Sequence, residues 1–290
     1  MRAILVWLMF LSPFSEKALR RALERRGASF IQDVFVFESV GSTNDEAKRL
    51  AQGGAPEGTL VAADEQTAGR GRGENSWLSP KGKGIYASLV LRPALEPSRG
   101  GELSLLVGAA AAEALSEETA LRVEVKWPND LVIHGQKVGG ILVEAAAGDR
   151  VLEYAVAGIG VNVSFERREL RGAHVPATSL ALEKGDVPPR EEILAAVAAR
   201  LGQSYHEYQE RGFSHLKNLM ETVATHRRGD ALALQTDAGI RRGAYEGIEE
   251  GGLLRLRFGD GSVKTFDSDG EAHALRPSPG PASEGRASTP

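Results

Sequence analysis

The chain has no cysteine. That excludes a disulfide framework, thiolate-ligated metal sites and a cysteine nucleophile, and it suits a reducing compartment. Long apolar runs are also missing. The apolar start, Ala3 to Leu11 behind Arg2, falls short of the ~20 residues a membrane span needs. It has the length of a signal-peptide core, but a basic amphipathic run from Lys17 to Arg26 follows Ser12-Pro13, with no small-residue cleavage site. A mis-assigned start codon, or the remnant of a further N-terminal domain, is the expectation for this segment. There is no excess of positive charge: 35 Lys and Arg stand against 39 Asp and Glu, a formal net charge of -4. A general nucleic-acid binder is usually basic, so bulk charge argues against that role. Internal repeats are absent. What remains is a chain of 290 residues, 42% apolar and 26% charged, long enough for one large domain and a small one.

Four regions follow from the pattern. Residues 1–32 form an extension with one short helix, Ser15 to Arg26, capped by Ser15 and closed at Gly27. Residues 33–224 alternate strands and helices. Val34 to Phe37 reads as a strand, and a helix runs to Gln52, with Ser42, Thr43 or Asn44 able to cap it. Ile85 to Leu91 reads as a strand, Gly101 to Glu118 as a helix. Arg122 to Lys126, Leu131 to Ile133, Val138 to Glu144 and Tyr154 to Val163 are further strands. The strands flanking His134-Gly135-Gln136-Lys137 read as a β-hairpin, with Lys137 just past the turn. Pro189 to Gly212 and Phe213 to Thr222 are helices. Short strands separated by glycine turns then suggest a small β-barrel over 225–276. Residues 277–290, rich in Pro, Ser, Gly and Ala, are expected to be disordered.

The chemistry gathers in polar segments between these elements. Gly69-Arg70-Gly71-Arg72-Gly73 packs three glycines and two arginines into five positions, and Trp77 follows. The glycines let the backbone approach a ligand, the arginines are fork-shaped cations suited to carboxylate and phosphate, and the tryptophan offers a stacking face. With no packable apolar face, this is expected to be a mobile loop. Ser42-Thr43-Asn44, Gln66 to Arg72, Trp127 to Asp130, and Lys137 all lie at strand ends or in adjoining loops, which can converge on one crevice. Each has an ordinary reading: a helix cap, an RNA-binding tract, core plus a turn, a solvated charge. Gly158-Ile159-Gly160 looks like a dinucleotide fingerprint but lacks the third glycine opening a helix.

Taken together, the motifs resemble biotin protein ligase. They are Gly69-Arg70-Gly71-Arg72-Gly73 with Trp77, Lys126-Trp127-Pro128-Asn129-Asp130, Lys137-Val138-Gly139-Gly140-Ile141-Leu142-Val143-Glu144 and Gly158-Ile159-Gly160-Val161-Asn162. Order and spacing match over roughly residues 36 to 275. The resemblance implies an α+β fold, a mixed sheet flanked by helices as in class II synthetase-like biotin and lipoate ligases, plus a small SH3-like domain. It implies joining of biotin to AMP from Mg-ATP, then transfer to one lysine of a biotin carboxyl carrier protein. By the same carry-over, Ser42, Thr43, Asn44, Gln66, Gly69, Arg70, Gly71, Arg72 and Lys137 surround biotin. Trp77, Lys126, Asn129 and Asn162 serve ATP, and Arg72, Lys137 and Asp130 carry the catalysis. Mg²⁺ arrives with the nucleotide, and no protein-held metal site is expected.

The pattern departs from the family at Gly73-Glu74-Asn75-Ser76, where further basic residues usually stand; Lys81 or Lys83 is the candidate replacement for that phosphate contact. Members that repress biotin synthesis carry a helix-turn-helix domain of about 60 residues before the catalytic domain. Here about 35 residues precede Glu38 and predict one helix, so the expectation is a cytoplasmic ligase without DNA or membrane partners, with room for a homodimer. A lipoate ligase and a non-catalytic ligand or RNA binder are the rival readings.

Overall fold

A computed structural model describes residues 14–236, 239–268 and, for the backbone, 274–277. The expected N-terminal apolar segment and C-terminal tail fall largely outside these residues. The first helix, α1 (Glu16–Arg25), starts where the Ser15 hydroxyl accepts the Ala18 N–H at 3.3 Å. It stops before Gly27, whose φ of +61° few other residues adopt. Leu19, Ala22 and Leu23, spaced three and four apart, form its buried stripe.

Seven strands form the main sheet: β1 (Val34–Phe37), β2 (Leu60–Ala63), β3 (Gly84–Leu91), β4 (Glu124–Lys126), β5 (Asp130–Ile133), β6 (Gln136–Ala147) and β7 (Leu152–Asn162). Their order is β1-β2-β3-β7-β6-β5-β4. Only β1 and β2 pair in parallel. Between them runs α2 (Thr43–Gln52), whose Ala47 and Ala51 pack with Val61, Val90, Tyr154 and Val156. The helix α3 (Gly100–Thr119) is apolar almost all round, as a helix packed on both sides must be. It packs against both β6 and α5 (Arg190–Arg211). The short α4 (Leu180–Lys184), absent from the sequence expectations, is capped by Ser179, and α6 (Phe213–Val223) follows α5.

A second compact unit comprises the described residues of 226–249 and of 253–277, while 250–252 group with the first unit. Its five strands are β8 (Ala231–Thr236), β9 (Gly239–Glu249), β10 (Leu253–Arg257), β11 (Val263–Phe266) and β12 (Ala274–Pro277), in the antiparallel order β11-β10-β9-β8-β12. Alternation buries Leu232 and Leu234 on β8 and Leu254 and Leu256 on β10. β12 was not expected. It ends at Pro277, the residue with which the tail was expected to begin, and pairs with β8 over Ala274 to Pro277.

The pairing register gathers the polar segments. Phe37, Ala63, Tyr86, Gly160, Gly140 and Asp130 form one row across the sheet. Just beyond that row, at the same end, β1 and β2 lead toward Ser42 and Gln66, β7 ends at Asn162 and β6 begins beside Lys137.

Candidate active site

Directly opposed residues of an antiparallel pair share a face, and alternate residues of a strand do too. Val156, Gly158, Gly160 and Asn162 of β7 therefore share one face with Glu144, Leu142 and Gly140 of β6. The glycines at 158, 160 and 140 leave the middle of that face bare at three positions. This is the physical content of Gly158-Ile159-Gly160: it is not a phosphate fingerprint but two glycines on one side of a strand. A β-carbon at 158 would lie 2.2 Å from Asn44 Oδ1, and one at 160 would lie 2.6 Å from the Trp77 ring.

Ser42, Thr43 and Asn44 open α2 above this floor, all buried. Ser42 occupies the cap position but makes no side-chain cap bond. The end is capped from outside: Gln66 Oε1 accepts the Thr43 N–H at 2.8 Å and lies 3.1 Å from its hydroxyl. The simple helix-cap reading of this triplet therefore does not hold. Gln66 Nε2 donates to Ser79 Oγ at 2.8 Å. The Asn44 amide is held on three sides, by Ser88 Oγ at 2.6 Å, the Leu142 carbonyl at 3.2 Å and Glu144 Oε2 at 2.8 Å. Residues 40–41 run alongside 66–68, with the Thr67 N–H on the Val40 carbonyl at 2.9 Å, so the triplet and the start of the arginine loop are neighbours.

The loop is a short hairpin. Trp77 N–H donates to Gly69 O at 2.9 Å, and Gly71 N–H to Asn75 O at 2.7 Å. A β-carbon at Gly69 would stand 2.4 Å from the Trp77 carbonyl, so this glycine is required by the close approach of the two arms. The loop does have an apolar anchor: Trp77 rests against Gly140 and Gly160. Arg70 reaches Glu144 and Asp45, the latter at 3.0 Å. The Nε of Arg70 and Nε1 of Trp77 are buried with no hydrogen-bond partner among the described residues. Buried donors are usually paired, so both are available to an acceptor that enters the site. Arg72 is half-buried, and its carbonyl accepts the Asn75 side-chain amide at 2.8 Å.

Lys137 follows a two-residue turn. His134 and Gly135 both have positive φ, +50° and +75°, the turn type that suits twisted hairpins. Its Nζ lies 2.5 Å from Asp130 Oδ1 and 5.5 Å from the centre of the Trp77 ring. The sequence presented Asp130 and Lys137 as separate agents; the structure makes them a pair. Asn129 Nδ2 donates to the Ile141 carbonyl at 2.8 Å, and Asn162 Nδ2 to that of Thr178 at 3.0 Å, so both amides are oriented by backbone. The segment carrying Thr178 also bonds Lys137: Lys137 N–H donates to Pro176 O and Thr178 N–H to Lys137 O, each at 2.9 Å.

Not everything converges. Lys81 is paired with Glu38 at 2.5 Å and Lys83 with Glu169 at 3.2 Å, so each candidate phosphate contact already faces a carboxylate. Trp127 is buried core, its indole N–H on the Gly252 carbonyl at 3.0 Å. Lys126 is half-buried at the end of β4, opposite Asp130 in register. Residues that touch the site without having been singled out are Ser88, Asp45, Lys48 and Thr178. Ser88 carried a signal, the one aliphatic hydroxyl in the largely apolar run Ile85 to Leu91.

Among the described residues no three His, Asp or Glu side chains gather to hold a metal, and no helix is long and apolar enough to cross a membrane.

Comparison with known proteins gives this geometry a context. Residues 36–162 match the biotin/lipoate A/B protein ligase family. A biotin--[acetyl-CoA-carboxylase] ligase of Paracoccus denitrificans is 33% identical over 74% of this chain and 90% of its own length. The bifunctional ligase/repressor BirA of Bacillus subtilis is 34% identical over 82% of this chain and 73% of its own. The solved biotin protein ligase of Aquifex aeolicus, in complex with biotin and ATP, superposes with a TM-score of 0.72 at 30% identity, covering 86% of this chain and all of that one. The chain belongs to the biotin/lipoate A/B protein ligase family, among its biotin protein ligases.

Proposed function

We propose that this chain activates biotin with Mg-ATP and transfers it to one lysine of a biotin carboxyl carrier protein. A biotin carboxylate oxygen attacks the α-phosphorus, pyrophosphate leaves, and biotinyl-5′-AMP forms. The neutral lysine amine then attacks the acyl carbon, and AMP leaves as the amine gives up a proton. The observation that carries this reading is the placement of Lys137, 2.5 Å from Asp130 and 5.5 Å over the Trp77 ring. A cation beside an aromatic platform, at the edge of a glycine floor, is where a carboxylate and an adenylate phosphate can meet.

The first step brings an anion onto a polyanion, so repulsion has to be offset where charge develops. Lys137, Arg70 and Arg72 supply that charge, and one preorganised donor of this kind is worth about 3–4 kcal/mol of barrier. Ser42, Thr43, Asn44, Gln66, Gly69 and Gly71 surround the biotin head. Trp77, Lys126, Asn129 and Asn162 serve the nucleotide. The hairpin of residues 69–77 covers the anhydride, which water would otherwise hydrolyse. In the second step the carrier lysine, with an ordinary pKa of ~10.4, has to be neutral. Asp130 orients that amine once the α-phosphate has drawn Lys137 away. Asp130→Asn is expected to slow transfer from preformed biotinyl-AMP more than it slows adenylation. Unimpaired transfer in a single-turnover assay removes this role.

The reading assigns no DNA or membrane partner and places the reaction in the cytoplasm. The test is ATP–pyrophosphate exchange with biotin or lipoate as the acid. Exchange dependent on biotin supports it; exchange with lipoate alone makes the chain a lipoate ligase, and none with either makes it a binder.

A further inference from the structure

Glu144 closes the motif Val138 to Glu144 and is left without a role by the reaction above. It is the one carboxylate on an otherwise apolar and glycine stretch of β6, and it points to the face that carries Gly158 and Gly160. Its Oε2 accepts Asn44 Nδ2 at 2.8 Å and meets Arg70, while Oε1 lies 3.0 Å from Lys48 Nζ. Asp45 faces the same two cations, each at 3.0 Å. Two cations and two carboxylates thus form a closed square of no net charge. The two carboxylates are not equivalent. The Asp45 side chain is 55% exposed and that of Glu144 26%, so water competes far more for Asp45 and weakens its hold. Burial disfavours the charge of Glu144, yet bonds from Asn44, Lys48 and Arg70 outweigh it and hold the carboxyl below the usual glutamate range.

We propose that Glu144 is a positioning residue: it anchors the outer nitrogen of Arg70 and the amide of Asn44 together, so that the arginine loop and the N-terminus of α2 present one preformed biotin pocket. This rests on the reading of Arg70 and Asn44 as biotin contacts. With its outer nitrogen anchored, Arg70 keeps the orphaned Nε for the ligand. Without Glu144, the guanidinium has only an exposed aspartate to hold it, and its loop is tied to α2 by a surface pair.

Glu144→Gln separates the parts of this account. The amide oxygen still accepts from Asn44, but the charge that holds Arg70 is gone. In biotin-dependent pyrophosphate exchange, KM for biotin is expected to rise roughly tenfold or more, the usual cost of one hydrogen bond to a charged group. KM for ATP stays near that of the parent. In an Arg70→Ala background the Glu144→Gln change adds nothing, because its effect runs through Arg70. A purely structural role gives a lower melting temperature with both KM values raised together, and that result overturns the proposal. So does an unchanged biotin KM, or losses that multiply in the double variant. If Glu144→Gln does not fold, Glu144→Asp keeps the charge one methylene short, and the same selective rise in biotin KM is then required. Absence of exchange in the parent chain points instead to failure of the ligase reading itself.

Discussion

Lys137→Ala is expected to lower kcat/KM for biotin-dependent pyrophosphate exchange by about 10²–10³, the usual effect of removing one preorganised donor from a developing oxyanion. Two consequences of the structure make this an effect on chemistry rather than on folding. The Lys137 side chain is 24% exposed and leaves no sealed cavity behind. Its backbone N–H and carbonyl are both held, independently of the side chain, by the neighbouring segment of Pro176 and Thr178. The melting temperature should therefore change little. The loss has a second component. Asp130, now 2.5 Å from the ammonium, is left as an unpaired carboxylate facing a triphosphate. The double variant Lys137→Ala, Asp130→Asn should thus recover part of the exchange that Lys137→Ala loses. Exchange close to the parent rate in Lys137→Ala would remove this lysine from the mechanism. A double variant no better than the single one would leave Lys137 in place but deny the repulsion by Asp130.

The elements that position this lysine were legible in the sequence because each carries a short-range signal. A short, largely apolar run after Gly84 marked β3, which is buried throughout, alanine and leucine content marked α3, and a His-Gly turn with positive φ at both positions set the β5–β6 hairpin and hence Lys137 at its mouth. The small second β unit followed from the same kind of signal, whereas the mixed sheet was implied by the resemblance to biotin protein ligase. What was not legible depends on register between strands far apart in sequence. Gly158 and Gly160 look like a fingerprint until β6 is laid beside β7, when Gly140 falls opposite Gly160 and a floor appears. Trp77 offered a stacking face, but nothing local said that the face would rest on that floor. The external cap of α2 by Gln66 depends on β1 and β2 running parallel, which brings residues 23 apart in sequence together. The strand β12 was missed because its four residues, Ala-Leu-Arg-Pro, carry a proline and no clear alternation.

The glycine floor carries the second large expectation. Gly158 is not at positive φ, so its backbone would accept a β-branched residue, and valine favours strands. Any penalty for Gly158→Val is therefore one of space. A β-carbon there would stand 2.2 Å from Asn44 Oδ1 and 2.9 Å from Cγ. The amide cannot turn away cheaply, since Ser88, Leu142 and Glu144 hold it. The N-terminus of α2 has to rise instead, and Ser42 and Thr43 rise with it. Overpacking of this kind costs about 1–3 kcal/mol, and biotin binding would have to repay it to reseat the helix. KM for biotin is thus expected to rise about five- to 150-fold, at 1.4 kcal/mol per factor of ten, with a lower melting temperature and less change in KM for ATP. Gly160→Ala, whose β-carbon meets the Trp77 ring at 2.6 Å, should show the opposite selectivity and raise KM for ATP. The control for space is Gly158→Ala combined with Asn44→Ala, which removes the obstructed amide. If the clash is the cause, that pair regains thermal stability relative to Gly158→Ala alone but not biotin affinity. Recovery of both would show that Asn44 is no part of the biotin pocket, and recovery of neither would place the damage in the strand itself.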